Sequence, residues 1–432
     1  MSDKRDHQAG NSGLPEGHGD DDWGVTRAEP EWVGVGAGTP QHVRRERERA
    51  RRRRRRRGMV LFLVLVLLLG IGAFFIAKSF IDDRRPSPTP DYEGTGVNDV
   101  VIRIQEGDVG TDIATTLVEN DVIKSTAAFM GAAHGRDELA SIQPGYYKVR
   151  TQIPASVAVD MLTNPELRVG AFTIAEGRQL DDIVSTTGAV TPGIYTLIAD
   201  ATCIELDGES TCADPDAFRQ AVASSDLNDL GVPEWARAEV ERAEDPGRRI
   251  EGLIAAGRWN VDPSGSPTEI IAELVTRSAR AYEATGIQQT SESIGVTPYE
   301  ALIIASLVER ESQPEDFAKV ARVILNRLDI GMMLQFDSTV NYALDTVEIG
   351  TTDADRGRVT PWNTYAMTGL PQTPISSPSV EALRGTENPE DGEWIYFVTI
   401  DLDGTTMFTN TFEEHNRYVE VARQNGVFAS GR

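Results

Sequence analysis

The residue types best suited to chemistry lie between positions 297 and 416. Thr297-Pro298-Tyr299-Glu300 has the parts of a helix start: a hydroxyl cap, Pro at the first helical position and Glu placed to close a capping box. Ala301 to Val308 (ALIIASLV) is apolar apart from Ser306, so this helix should be buried on most sides. Glu309, Arg310 and Glu311 follow, and Pro314 limits the helix. On a helical wheel Leu302, Ala305, Ser306 and Glu309 share one face, and Ile304, Leu307, Val308 and Glu311 share the other. The two carboxylates therefore diverge. Glu309 follows mostly small residues, which leaves room for a ligand. A carboxyl at the edge of an apolar helix can stay protonated near neutral pH and act as a general acid. The same spacing suits an ion pair of Glu309 with Arg310 or Arg322 at least as well.

Short polar motifs come next: Leu334-Gln335-Phe336-Asp337-Ser338-Thr339-Val340, Trp362-Asn363-Thr364-Tyr365 and Gly369 to Ile375. Amides, hydroxyls and aromatic rings dominate them. That is the chemistry of a sugar-binding groove, with planar hydrogen bonding to hydroxyls and acetamides and stacking on rings.

The elements that must position these residues can be read from periodicity. Phe317 to Leu328 is a helix ended by Ile330-Gly331. Ile395 to Ile400 and Thr406 to Phe408 form a hairpin around Asp403-Gly404, and Phe412 opens a last helix. Upstream, Val100 to Gly107 reads as a strand, Thr111 to Asn120 as a helix with Thr111 as its cap, and Ser125 to Gly135 as a second helix. Gly145 to Val149 is a strand and Ser156 to Thr163 a helix. Val169 to Ile183 repeats strand, turn and helix, and Ile174-Ala175-Glu176-Gly177 echoes Ile104-Gln105-Glu106-Gly107, a weak internal repeat. Ala199 to Arg248 is polar and acidic with little periodicity and looks like an insertion. Thr268 to Ala281 is an amphipathic helix.

At 432 residues the chain has room for two to four domains. Its net charge is −25, which argues against nucleic-acid binding. Two Cys exclude a zinc-finger array, an iron–sulfur protein and a disulfide-dense scaffold, and five His argue against a His-rich metal site. The charge is unevenly placed. Residues 1–58 hold 14 Lys/Arg against 10 Asp/Glu, a net of +4, with seven consecutive Arg at Arg51 to Arg57. Met59 to Ala77 is a run of 19 uncharged residues, about 28 Å as a helix and close to the thickness of a bilayer core. Residues 79–432 hold 27 Lys/Arg against 57 Asp/Glu, a net of −30. The Arg run beside the span predicts a cytoplasmic N-terminus and an outer C-terminal bulk. A cleaved signal peptide fits less well, because the run starts about 60 residues in and no clear cleavage site follows. The expected organisation is a disordered tail with an Arg-rich anchor (1–58), a transmembrane helix (59–77), a linker (78–97), a small α/β module (98–168), a second strand–helix region with the acidic Cys-bearing insertion (169–296), and an α+β domain (297–425). Outside the cell a Cys203–Cys212 disulfide is expected as a local staple.

Over roughly residues 98–425 the sequence resembles the MltG (YceG-like) family of membrane-anchored endolytic murein transglycosylases. The resemblance rests on Ala305-Ser306-Leu307-Val308-Glu309-Arg310-Glu311-Ser312, Val323 to Leu328 with Gly331, and Leu334 to Val340 with Tyr342. It continues through Asn363-Thr364-Tyr365, Gly369-Leu370-Pro371, Pro374-Ile375, Pro378, Phe408 and His415-Asn416. It implies that Glu309, the first Glu of the motif, is catalytic, that the module at 98–168 is LysM-like, and that no cofactor or metal is needed. It also implies cleavage between N-acetylmuramic acid and N-acetylglucosamine with formation of a 1,6-anhydro end. Gln335, Asn326, Asn363 and Tyr365 become candidates for holding the sugar, with structural roles equally open. His415 and Asn416 either cap the last helix or reach the groove. The implied partners are peptidoglycan strands, the membrane and peptidoglycan synthases. Where the family usually carries Phe-Pro-x-Thr-Tyr, this chain has Ile254 to Trp259 (IAAGRW), which puts any substrate contact from that segment in doubt.

Three other readings remain. A muramidase-type hydrolase would need a second carboxylate, for which Asp337 is nearest. A non-catalytic wall-binding protein would use the small modules alone. A serine hydrolase would use Ser306 and His415, but Ser306 lies inside a helix and not on a strand–elbow.

Overall fold

The computed structural model describes residues 42–82, 89–344, 346–347 and 351–427. The chain divides into Met1–Ser87 and Pro88–Arg432. In the first unit the described residues form one helix, His42–Asp82. Its stretch Gly58–Ser79 is 22 residues long, exposed, and long and apolar enough to cross a membrane. The Arg-rich segment expected to belong to a disordered tail is helical from residue 42. From His42 to Arg57 it carries no Gly or Pro, and Arg, Glu and Ala are good helix formers. The rest of the expected tail, 1–41, and linker residues 83–88 lie outside the described residues.

The second unit is α+β, with small antiparallel sheets among many helices. It opens with a module of strand Asp99–Ile104, helices Gly110–Glu119 and Thr126–Ala133, strand Gly145–Arg150 and helix Ala155–Thr163. The two strands pair antiparallel from Asp99 opposite Arg150 to Ile104 opposite Gly145, and Arg168–Val169 adds a short third strand. Ile102, Leu117, Phe129, Val149, Val159 and Leu162 close a core of its own. Ser125 caps its helix by accepting from the Ala128 amide at 3.2 Å. Thr111 is not a cap. Its helix starts one residue earlier, and the Asp112 carboxylate secures the turn by accepting from the Val109 amide at 3.0 Å.

Strand Ala171–Ile174 pairs with Gly257–Asn260. The helix expected after the Gly177 turn does not form, so the internal repeat stops at that turn. Gly177 N–H donates to Ser377 O at 2.8 Å and Ser377 N–H donates to Arg178 O at 2.7 Å. This tertiary pairing uses backbone groups that a helix would have used. Ile183–Val184 instead forms a short ribbon with Val190–Thr191.

Residues 199–248 are part of the main core and not an appended insertion. Helices Pro215–Ser224 and Glu234–Arg242 bury Phe218, Val222, Ala236 and Val240 in it, and Leu230 and Val232 join them. Each helix shows the core only two residues, too few to create a visible period. Cys203 and Cys212 form the expected disulfide, which closes the hairpin Glu205–Leu206/Glu209–Ser210.

The remaining frame comprises helices Pro267–Thr285, Pro298–Glu311, Phe317–Asp329 and Val380–Glu387, hairpin Tyr396–Thr399/Thr406–Thr409 and helix Phe412–Gln424. One hydrophobic core runs from Ile174 to Leu383, so the segments on either side of residue 296 share it.

Candidate active site

The Pro298–Glu311 helix is the axis of that core. Tyr299 and every residue from Ala301 to Val308 are buried. Burial of each large aliphatic side chain contributes about 1.5–3 kcal/mol, which fixes the helix rigidly. Its start is the capping box read from the sequence: Glu300 N–H donates to Thr297 Oγ1 at 3.2 Å, and Thr297 N–H donates to a Glu300 carboxylate oxygen at 2.7 Å. Ser306 is fully buried. Its hydroxyl donates to Ile303 O at 2.7 Å and accepts from Ile375 N–H at 3.1 Å. Those bonds make it a packing residue and remove it as a nucleophile.

The two glutamates leave the end of this helix in different directions. Glu309 Oε2 accepts from the Ser379 amide at 2.9 Å, and Ser379 caps the Val380–Glu387 helix. The turn at Gly177 lies against the same stretch: its carbonyl accepts from Arg310 Nη1 at 3.4 Å. Gly177 has φ +70°, and a Cβ there would stand 3.5 Å from the Arg310 side chain and 3.9 Å from Glu309 Cγ. Glu309 and Arg310 thus brace the helix end, each against a different neighbouring segment.

Glu311 faces a cavity of about 950 Å³. Among the described residues, the lining of this cavity includes Glu311, Gln335, Asp337, Tyr365, Tyr396 and His415 but not Glu309. Burial pushes the Glu311 carboxyl above its ordinary value, and the negative charge of Asp337 adds to the rise. The Ser338 hydroxyl and amide and the charge of Arg310 act the other way.

Asp337 is firmly held. Its Oδ1 accepts from Tyr365 Oη and from Thr351 Oγ1, each at 2.8 Å, and its Oδ2 pairs with Arg356 Nη2 at 3.1 Å. Arg356 also lies over the Tyr365 ring, 5.0 Å from its centre. Burial first, then the bond to Asp337, pushes the Tyr365 phenol up, so it remains a donor.

Gln335 stands at the rim of the cavity with φ +55°, an uncommon backbone region for a residue with a side chain. Its amide N–H donates to Thr364 O at 3.1 Å. Among the described residues its exposed side chain has no partner.

The other two amides have structural work. Asn326 lies outside this lining and donates to Gly392 O at 3.0 Å and Trp394 O at 2.9 Å. Asn363 is 1% exposed; its Nδ2 donates to carbonyls including Arg356 O at 3.0 Å, and its Oδ1 accepts from Tyr365 N–H at 2.9 Å. Asn363 therefore positions the loop that carries Tyr365 and Arg356. Thr411 caps the last helix, so His415 is free of that role. Its ring lines the cavity and stacks on Tyr396 at 5.2 Å. Burial, with Arg327 nearby, lowers its pKa and favours the neutral ring. Asn416 is exposed.

The sequence does not place Glu311, Arg327, Tyr396 and Phe412 around one cavity, as the structure does. The Glu-x-Glu spacing already placed one carboxylate on each side of the helix. Only the packing of residues 375–383 and 335–341 decides which side holds the cavity.

The YceG-like family matches this chain over residues 102–421. The chain belongs to that family. Among its relatives is the endolytic murein transglycosylase of Bacillus subtilis, 27% identical over 354 residues, which span 81% of this chain and 89% of the relative. The protein of that name in Streptococcus pneumoniae is 26% identical over 74% of this chain and 58% of its own length. A solved structure of the yceG-like protein lmo1499 from Listeria monocytogenes aligns over 74% of this chain and 98% of its own, with 22% identity and a TM-score of 0.44.

Proposed function

We propose that this YceG-like protein is a membrane-anchored endolytic lytic transglycosylase that cleaves peptidoglycan between N-acetylmuramic acid and N-acetylglucosamine. Glu311 carries the reaction. The observation behind this reading is one carboxyl, raised by burial, facing a cavity with free amide and aromatic groups. The motif-based assignment gives the role to Glu309, but the direction of the two side chains favours Glu311.

Protonated Glu311 gives its proton to the glycosidic oxygen as the bond to the anomeric carbon breaks through an oxocarbenium-like state. As carboxylate it takes the proton of the muramoyl 6-hydroxyl. That oxygen bonds to the anomeric carbon and closes a 1,6-anhydro ring. No water is consumed, so the step is a lyase reaction served by one carboxyl. Gln335 offers its amide to an acetamide, and Tyr396, Phe412 and His415 offer a stacking wall. Asn326 and Asn363 support the frame and do not touch sugar.

The small module at 99–169 is the LysM-like part that holds the strand. The Arg-rich helix sets the N-terminus in the cytoplasm and the acidic bulk outside. There the enzyme would end growing strands beside a synthase.

Muropeptide mass analysis tests the reading. Wild type should release anhydro-muramoyl ends. Glu311→Gln should lower the rate by about two orders of magnitude or more, the usual worth of a general acid. Glu309→Gln should keep at least about a tenth of it; loss with Glu309→Gln and survival of Glu311→Gln would return the role to Glu309. Reducing ends in place of anhydro ends would make it a hydrolase, with Asp337 as the second carboxylate.

A further inference from the structure

A second groove, of about 450 Å³, shares no lining residue with the cavity of Glu311. It lies where the module's last strand meets the ribbon Ala171–Ile174/Gly257–Asn260, and Gln143, Arg168, Phe172, Arg258 and Trp259 line it. Arg168 is held by neutral acceptors: Gln143 Oε1 at 2.8 Å, Pro144 O at 3.0 Å and Asn260 Oδ1 at 2.7 Å. Among the described residues its buried Nε has no partner. Arg258 is exposed, and among the described residues it has neither an ion pair nor a side-chain hydrogen bond. Trp259 is fixed from behind by the Arg277 guanidinium, 4.7 Å from its ring centre.

Two guanidiniums without anionic partners therefore face one groove with aromatic walls, in a region whose residues 79–432 carry a net charge of −30. A guanidinium fork binds carboxylates bidentately, and the aromatic walls suit an aliphatic stem. An amide-substituted murein glycan chain is uncharged. Its free carboxylates sit on the short peptides hung from the muramoyl lactyl groups.

We infer that the Arg168–Arg258–Trp259 groove is an accessory subsite for a carboxylate of the peptidoglycan stem peptide. The inference rests on the proposed wall substrate and adds a second point of attachment on it. The subsite makes the enzyme prefer peptide-bearing strands to bare ones, through binding and not through the chemical step.

The test uses full-length protein in detergent. Binding of a soluble disaccharide–tetrapeptide is followed by tryptophan fluorescence, beside the same disaccharide without peptide and with its lactyl carboxyl capped as the methylamide. Arg258→Ala should weaken binding of the peptide-bearing ligand about tenfold, Arg258→Lys less, and neither should alter binding of the bare disaccharide. On intact strands Arg258→Ala should raise KM several-fold with kcat unchanged; on strands whose peptide carboxylates are converted to methylamides it should change neither. Equal binding of the peptide-bearing ligand by wild type and Arg258→Ala overturns the inference, as does equally effective competition by a glycerol-phosphate polymer. Absence of anhydro ends from wild type would overturn the transglycosylase reading instead, and the binding arms would still decide the subsite.

Discussion

A carboxyl can serve as acid and then base only if its proton affinity lies near the working pH. At Glu311 burial supplies most of that rise, and the charge of Asp337 adds to it. Activity should therefore fall as pH climbs through the raised value, because the proton donor is lost. Asp337→Asn removes the neighbouring charge and should move that alkaline limb to lower pH, which a kcat/KM profile would read. Gln335 offers a separate check. Its φ of +55° suits glycine, so Gln335→Gly should leave thermal stability unchanged or raised while KM rises with the loss of the amide.

The helix that presents these groups depends on its first turn. Thr297→Ala removes one half of the capping box and should cost about 1 kcal/mol of stability, seen as a lower midpoint in urea. That box was fully legible in sequence, as were the neighbouring helices and the hairpin, because each relied on local spacing. Thr111 misled because a carboxylate one residue further on did the same work from another position. Residues 199–248 misled because their helices each bury two side chains only. The resemblance assigns catalysis to Glu309 as the first Glu of its motif, and the small residues before it suggest room for a ligand. The structure fills that side with the Ser379 helix and the Gly177 turn. Asn326 and Asn363 had the right chemistry for sugar, but the backbone carbonyls beside them claim it.

At the scale of the whole molecule, a second buried carboxyl with a raised proton affinity lies outside the Glu311 cavity. Glu251 is 0% exposed; its Oε2 accepts from Tyr342 Oη at 2.9 Å and from Leu180 N–H at 3.2 Å, while Oε1 has no partner among the described residues. Burial pushes it up to about 7. The folded state then holds this proton more tightly than the unfolded chain. Its stabilising contribution is complete below the ordinary carboxyl value of 4.5 and is lost as pH rises through about 7. Glu251→Gln should flatten the pH dependence of the unfolding free energy, read from urea titrations, by roughly 3 kcal/mol across that window.

The two hydrophobic cores also bear on how such a chain can evolve. The first closes on itself between Ile102 and Leu162, whereas the second draws walls from segments all the way from Ile174 to Leu383. Gly170 sits at the join, with φ +69°, and a Cβ there would stand 1.9 Å from Val261 O. Recombination among relatives should therefore tolerate exchange of everything before this glycine as a block. A crossover near residue 296 would split the second core, and such a hybrid would inherit the helix of Glu309 and Glu311 without the partners that bury it.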